Sequence, residues 1–183
     1  MRLIHFATLA AICTGTAALG AETCPTGPDR SLERAALLET LATSVSPLAG
    51  QSAANEVWRH WTTAPDDKAQ SLLDQGMQSI RFGEPVSAQV ALDQLVHYCP
   101  GYAEGWNQRA FAKFLSGDFP GSLADIEAAL EIEPAHFGAL AGKIMILVRQ
   151  NKRGLAQLVL IEARKVNPWL REGELLGVEG QSL

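Results

Sequence analysis

Histidine is the side chain that most often serves as a general base near neutral pH, and three histidines follow the first 20 residues: His60, His97 and His136. His60 and His97 stand beside Trp61 and Tyr98 in segments with helical spacing. No serine, cysteine or pair of carboxylates accompanies them in the pattern that general-base or nucleophilic chemistry requires. His136 falls in a predicted loop, where we expect a polar, exposed side chain. We therefore predict no catalytic residue and do not expect an enzyme.

The three cysteines are Cys13, Cys24 and Cys99. Cys13 lies inside the export signal predicted below, which leaves two cysteines in an oxidising compartment, where one disulfide is expected. A Cys24–Cys99 bridge would close a loop of 75 residues (99 − 24) and stabilise the fold by up to ~4.5 kcal/mol. Two unpaired thiols are the alternative. Neither the cysteines nor the histidines have the spacing of metal ligands, so we expect no metal site and no cofactor.

An acidic cluster follows one predicted helix, and two interpretations apply to it: a site for a basic partner, or a solvated helix face, which we favour. Its members are Asp125, Glu127, Glu131 and Glu133.

Arg109 occupies a place at which helices usually pack. A buried guanidinium requires an acceptor, so we expect Asp93, Glu104 or Asp125 to lie beside it.

Residues 1–20 have the pattern of a cleaved secretory signal peptide. Arg2 gives a basic start, residues 3–18 are largely apolar, and Ala18 and Gly20 are small residues ahead of a cut before Ala21. Polar residues interrupt the apolar stretch, which favours cleavage over a membrane anchor. We expect a periplasmic protein with no stable membrane span after signal removal; a secreted protein is the alternative.

The composition is that of a chain that can bury a core: 183 residues, 47% of them hydrophobic, with a formal net charge of −5. A mildly acidic chain lacks the electrostatic footprint of a nucleic-acid-binding or anionic-lipid-binding protein.

The chain repeats itself at a fixed interval. Pro100, Pro134 and Pro168 are evenly spaced (134 − 100 = 34 and 168 − 134 = 34), and Leu72, Trp106 and Leu140 keep the same spacing. In the central unit, residues 103–136, apolar residues recur at one-turn spacing on both sides of Ser116-Gly117-Asp118, which favours a helix, a tight turn and a second helix.

This unit resembles the tetratricopeptide repeat family, whose period is about 34 residues. The positions that carry the resemblance are Trp106, Ala110, Gly117, Asp118, Phe119, Ser122, Ile126, Ala129 and Pro134. The resemblance implies an all-α fold: a right-handed α-solenoid of antiparallel helix hairpins.

The domain organisation follows from the phase of the repeats. We predict a signal peptide (1–20), a Cys/Pro-containing arm (21–30), a divergent helical pair that is a cap or a degenerate repeat (31–68), three repeats (69–102, 103–136 and 137–170), and a short capping helix with a tail (171–183). We expect Trp58 and Trp61, in the divergent pair, to be core residues.

In this family the first helix of each repeat lines the concave face, which usually holds an extended peptide. The corresponding residues here are Leu73, Met77, Arg81, Asn107, Gln108, Phe111, Phe114, Met145 and Arg149. Part of this stripe could instead be core between repeats. The chain lacks the Lys/Asn/Arg set with which some repeats capture a C-terminal carboxylate, so we expect no such clamp.

The resemblance implies a non-catalytic protein of the cell envelope that binds a protein or peptide partner through its concave face. The alternative is an accessory subunit that packs permanently on an envelope complex or on a second copy of itself. The sequence leaves the oligomeric state open.

Overall fold

A computed structural model describes residues 23–177, and every regular element in that range is a helix. The helices are α1 (Ser31–Ala42), α2 (Pro47–Trp61), α3 (Asp67–Arg81), α4 (Pro85–Tyr98), α5 (Ala103–Leu115), α6 (Phe119–Ile132), α7 (Phe137–Arg149), α8 (Arg153–Val166) and a 3₁₀ helix (Arg171–Leu176). The predicted signal peptide, together with Cys13, and the last six residues of the predicted tail lie outside the described residues.

Three helix hairpins, α3–α4, α5–α6 and α7–α8, repeat with the predicted period. Their second helices begin at Pro85, Phe119 and Arg153, which are evenly spaced (119 − 85 = 34 and 153 − 119 = 34). Each hairpin packs against the next, so α3, α5 and α7 run parallel along one side of the stack. The fold is therefore an α-solenoid of helical hairpins, as the sequence predicts.

The turn inside each hairpin has the same backbone geometry. Gly83, Gly117 and Asn151 have positive φ angles of 75°, 85° and 58°, and they are separated by the same repeat period. The following residue donates its N–H to a carbonyl five residues back: Glu84 to Ser79, for example, at 2.9 Å. This pattern ends a helix in the left-handed conformation that glycine, or less often asparagine, adopts at low cost.

The helical pair α1–α2 packs against the third hairpin. Leu41 and Val57, both fully buried, share one core with Leu147 and Leu160 of α7 and α8. At the edge of that core, the Trp169 Nε1–H donates to Ser44 Oγ at 2.6 Å. The divergent pair is thus joined to the far end of the stack, whereas its place in the sequence is next to the first repeat.

The N-terminal arm is tied to the first hairpin by a disulfide between Cys24 and Cys99. Cys99 is buried in the α3–α4 core. A second link holds the C-terminal end of α2, where Tyr102 Oη donates to the backbone oxygen of Trp61 at 2.6 Å. The N-terminal arm is therefore fixed to the first hairpin, whereas the α1–α2 pair that follows it packs on the third.

The 3₁₀ helix after the third hairpin contacts both α7 and α8, in the place predicted for a capping helix. None of the helices in residues 23–177 combines the length and apolar character needed to cross a bilayer.

Candidate functional site

An apolar cavity of about 390 Å³ lies between α3, α5 and α7, next to Trp58 of α2. Its lining residues are Trp58, Met77, Ile80, Arg81, Asn107, Gln108, Ala110, Phe111, Phe114, Ser122, Ile126, Gly138, Ala141, Gly142 and Met145. Two methionines and two phenylalanines give it an adaptable apolar wall, because methionine is flexible and polarisable.

Seven of the nine residues predicted for the concave face line this cavity. They are Met77, Arg81, Asn107, Gln108, Phe111, Phe114 and Met145. Arg149 lies at its edge, with its guanidinium 5.7 Å from the centre of the Phe114 ring. The site prediction must be corrected at Leu73, which is fully buried in the α3–α4 core and offers no surface to a partner.

The polar end of the cavity is organised by a buried carboxylate. Glu104, 1% exposed, accepts hydrogen bonds from Gln108 Nε2 at 2.6 Å and Asn107 Nδ2 at 3.1 Å. A third bond joins it to His136 Nε2 at 2.8 Å. Because both amide nitrogens donate to Glu104, the amide oxygens of Asn107 and Gln108 are the atoms left to accept hydrogen bonds from a ligand.

His136 is fully buried, so the expectation of an exposed loop residue was wrong. Its Nδ1 accepts the backbone N–H of Ala139 at 3.2 Å, which assigns the proton to Nε2 and makes that nitrogen the donor to Glu104. Its ring stacks on Trp61, with centroids 3.9 Å apart and planes 10° from parallel. His136 therefore links α2, the start of α5 and the start of α7.

Trp58, on α2, forms the wall of the cavity at the first turn of α7. Its ring lies edge-on to Phe137, with centroids 5.3 Å apart, and packs directly over Gly138. A Cβ at Gly138 would overlap the Trp58 ring, so the contact requires glycine. Both tryptophans were expected in the core: Trp61 belongs to it, and Trp58 packs against it and also lines the cavity.

Arg109 does not line the cavity; it joins α4, α5 and α6. Its Nε and NH2 atoms donate to the two carboxylate oxygens of Asp125 at 2.8 and 2.7 Å, and NH1 donates to Asp93 at 2.8 Å. The bond to Asp125 raises the pKa of Arg109. The expected carboxylate partners are confirmed for Asp93 and Asp125, whereas Glu104 serves the cavity.

The acidic cluster is only partly a solvated face. Glu127 and Glu131 are exposed, but Asp125 and Glu133 are 3% and 6% exposed. Glu133 forms an ion pair with Arg34 of α1, with 2.8 Å between Nε and Oε2. Two of the four carboxylates therefore hold the fold together.

The other histidines form no reactive constellation in the described part of the chain. Burial, together with the positive charge of Arg30, lowers the pKa of His60, whose Nδ1 lies 3.7 Å from a Glu33 oxygen. His97 is exposed on α4. Across residues 23–177 no three histidine, cysteine or carboxylate side chains converge as metal ligands would.

No family model matches the sequence. The chain is 35% identical over 111 residues to a TPR repeat-containing protein of Rhizobium etli, in a match that covers 61% of this chain and 54% of that protein. Among solved structures it resembles the TPR2AB domain of yeast Sti1 in its pHSP90 complex, with a TM-score of 0.54, 21% identity, and 69% and 50% of the two chains covered. The fold is a tetratricopeptide-like solenoid. The chain spans about half the length of each of these two proteins.

Trp58, Glu104 and His136 were not predicted as site residues of this tetratricopeptide-like solenoid. The repeat phase does carry a signal for His136: the positions one repeat before and one repeat after it are Tyr102 and Leu170, a half-buried and a buried residue. Because Tyr102 and Leu170 are largely apolar, their equivalence to His136 in the repeat predicts that His136 is buried. No comparable signal exists for Trp58, because α1–α2 is out of phase with the repeats.

Proposed function

We propose that this protein is a non-catalytic scaffold or adaptor of the cell envelope, and that its concave cavity holds a segment of a polypeptide partner. The observation that supports this proposal is the cavity itself, an apolar pocket on the face that tetratricopeptide hairpins leave open. Pockets of this size with a few convergent polar groups are typical ligand sites. The amide oxygens of Asn107 and Gln108 suit the N–H groups of a peptide backbone. The TPR neighbour was solved as a complex with pHSP90, which also favours a protein partner.

An envelope location is supported by two independent features. The N-terminal 20 residues have the composition of an export signal, and the Cys24–Cys99 disulfide suits an oxidising compartment. N-terminal sequencing of the protein recovered from the periplasmic fraction tests this location. A start at Ala21 is expected, and recovery only from the cytoplasm with the first residues intact would contradict it.

Site-specific photocrosslinking tests the binding face. Phe111 is 38% exposed in the cavity. A variant with a photoreactive phenylalanine analogue at this position should capture a discrete partner when it is expressed in the cells that naturally produce the protein. The same analogue at Phe82, 71% exposed at the end of α3 and outside the cavity, is the matched control. Equal crosslinking at both positions, or capture that survives a second change of Met145 to Glu, would contradict binding through the cavity.

A second candidate function is that of an accessory subunit that packs constitutively on an envelope complex or on its own copy. It is favoured by an apolar stripe on α8, where Leu155, Leu158 and Ile161 are 53%, 61% and 48% exposed. Contiguous exposed apolar residues often mark interaction surfaces. Native mass spectrometry separates self-association from the other possibilities: a dimer lost in Leu158→Glu would favour it, and a monomer at all concentrations would exclude it.

A further inference from the structure

Helix α8 is apolar on two opposite sides, and only one of them is covered. Ala156, Leu160 and Ala163 are fully buried in the core that α7 and α8 share with α1–α2. On the other side three apolar side chains, spaced three residues apart, are 53%, 61% and 48% exposed: Leu155, Leu158 and Ile161. A helix that is apolar all round is normally buried all round. This exposed row, called here the α8 face, therefore lacks a cover among residues 23–177.

The charge around the α8 face is opposite in sign to that of the whole chain. Residues 150–166 contain four basic residues and one acidic residue, Glu162, and residues 134–161 contain no aspartate or glutamate. The rest of the chain holds 11 basic residues (15 − 4) and 19 acidic residues (20 − 1). The net charge of the whole chain argues against an anionic surface as a partner, but the distribution of that charge places a basic segment at α8.

The basic residues lie at both ends of the apolar row. Lys152 and Arg153 are exposed at the start of α8, and neither forms an ion pair within residues 23–177. Cations at the N-terminal end of a helix oppose its dipole, so helix stability does not explain this pair. Arg164 and Lys165 lie in the last turn, where Lys165 pairs with Glu162 at 2.7 Å. Long basic side chains at such positions can keep their charges in a polar layer while the apolar row enters an apolar one.

A second exposed apolar pair lies next to the C-terminal end of α8. Val45 and Leu48 are 92% and 81% exposed where α1 turns into α2. Ser44, directly before Val45, accepts the Trp169 Nε1–H at 2.6 Å, and Trp169 follows the last residue of α8 by three positions (169 − 166). Apolar side chains therefore protrude from two elements that are held together at this end of the protein.

We propose that the α8 face is a docking site for an anionic membrane surface. In this contact α8 lies in the plane of the interface, Leu155, Leu158 and Ile161 enter the boundary between headgroups and acyl chains, and the cations at its ends contact lipid phosphates. Exposed leucines combined with lysine and arginine are the composition of interfacial helices, and anionic lipids attract such basic segments. A nucleic acid would leave the apolar row uncovered.

The choice of a membrane rests on the envelope location proposed above, and the surface differs from the one that holds a polypeptide. No α8 residue lines the cavity between α3, α5 and α7. The two contacts can therefore form at the same time, with the cavity open to a partner while α8 rests on lipid.

Vesicle flotation of the purified chain from Ala21 onward tests this inference. One set of vesicles contains phosphatidylglycerol and phosphatidylcholine in equal amounts, and the other contains phosphatidylcholine alone. The protein should float with the anionic vesicles and bind the neutral ones more than about tenfold more weakly, because each cation near an anionic surface contributes a factor of about five. Binding to the anionic vesicles should weaken as salt is raised.

Two double variants test the residues of the site. Lys152→Gln with Arg153→Gln should weaken binding to the anionic vesicles by about fivefold for each charge removed. Leu158→Gln with Ile161→Gln should weaken it by about tenfold or more, because the apolar area that enters the interface is lost. Glutamine is a good helix former and the four positions are exposed, so the melting temperatures should stay the same.

Matched controls replace equally exposed residues elsewhere. Val86→Gln with Val90→Gln removes two apolar side chains, 70% and 59% exposed on α4. Arg59→Gln removes an arginine whose side chain is 71% exposed on α2. Neither change should alter vesicle binding. A loss as large as that of the α8 variants would mean that the protein contacts lipid without a defined face, and would overturn the inference.

The other outcomes each identify a different occupant of the α8 face. If the two kinds of vesicle bind equally, or neither binds, an anionic membrane is excluded. If no vesicle binds and the chain is a dimer that Leu158→Gln with Ile161→Gln dissociates, the occupant is a second copy. If no vesicle binds and the chain is a monomer that crosslinks to another polypeptide through a photoreactive residue at position 158, the occupant is a protein.

The cavity offers a way to separate this inference from the proposed function. Met145→Glu changes the cavity wall and should leave vesicle binding unchanged. A failure of partner capture at Phe111 would contradict the proposed function and leave the membrane contact standing, whereas a failure of vesicle flotation would do the reverse.

Discussion

Glu104 and His136 meet in the interior of the protein, with an Nε2-to-Oε2 distance of 2.8 Å and both side chains fully buried. Glu104 belongs to the first turn of α5, and His136 is the N-cap of α7. One hydrogen bond therefore joins two consecutive hairpins and, through the amides of Asn107 and Gln108, sets the polar end of the cavity.

Replacing Glu104 with Ala should lower the free energy of unfolding by about 3 kcal/mol, because two buried donors, on Asn107 and His136, and the half-buried amide of Gln108 lose their acceptor at once. Urea unfolding followed by circular dichroism measures the change. The control is Glu131→Ala, the removal of an exposed carboxylate, with an effect expected within about 0.5 kcal/mol. A loss below about 1 kcal/mol for Glu104→Ala would mean that water replaces the carboxylate at little cost.

Gly138→Ala should destabilise the protein, although alanine is the better helix former by about 1 kcal/mol. The added methyl group would overlap the Trp58 ring and displace it from α7. In Gly154→Ala, the matched control, the new Cβ meets no atom within 4 Å, so stability should stay equal or rise. Thermal unfolding of the two variants gives the comparison, and equal melting temperatures would show that Trp58 moves freely.

Arg109→Leu should cost about 2 kcal/mol or more, because Asp125 remains buried and, among residues 23–177, keeps Lys113 alone as a cationic partner, at 2.8 Å. The comparison is Arg59→Leu, which removes an exposed arginine that pairs with Glu56 within α2, and this change should be worth about 0.5 kcal/mol at most. Chemical unfolding in urea measures both. Indistinguishable losses would contradict a buried ion pair at Arg109.

Reduction of the Cys24–Cys99 disulfide should lower the unfolding free energy by about 2–4 kcal/mol, as expected when a long loop is released. The α1–α2 pair should stay docked, because its core with α7–α8 does not involve the arm. Unfolding with and without a phosphine reductant measures the loss, and Cys24→Ala/Cys99→Ala should be insensitive to the reductant. Two reactive thiols in the denatured, unreduced mature protein would exclude the bond.

His60 should make the protein less stable in mild acid. Burial, followed by repulsion from Arg30, lowers the pKa of His60 below its ordinary value of 6.5, with Glu33 opposing and Arg34 reinforcing the shift. The unfolded chain then binds more protons than the folded one between the two pKa values, so the contribution is complete above pH 6.5 and is lost as pH falls through the folded-state pKa. Unfolding at about pH 5 and about pH 7.5 should give a smaller difference for His60→Gln than for the natural protein. An identical pH dependence would place His60 in contact with solvent.

The repeat phase predicts the hairpins well because each hairpin forms from contacts between residues close together in the sequence. Helix starts, the turn at Gly117 and the concave positions of Met77, Phe111 and Met145 all follow from comparing residues one repeat period apart. The placement of α1–α2 could not be predicted in this way, since it depends on contacts such as that between Ser44 and Trp169, 125 residues apart. For the same reason the second role of Trp58, as a wall of the cavity, was missed, although its packing against the core was expected. Leu73 was assigned to the open face, but it lies one helical turn before Met77 and is fully buried.

The packing of α1–α2 on the third hairpin fixes the number of repeats. A solenoid open at both ends can lengthen by duplication, because each new unit needs only its neighbour. Here one additional hairpin would move α7–α8 away by the width of further helices, about 10 Å each, and Trp58 would no longer reach Gly138. A duplicated hairpin would therefore separate α1–α2 from its packing surface on α7–α8, so in residues 23–177 this packing requires three hairpins after α2.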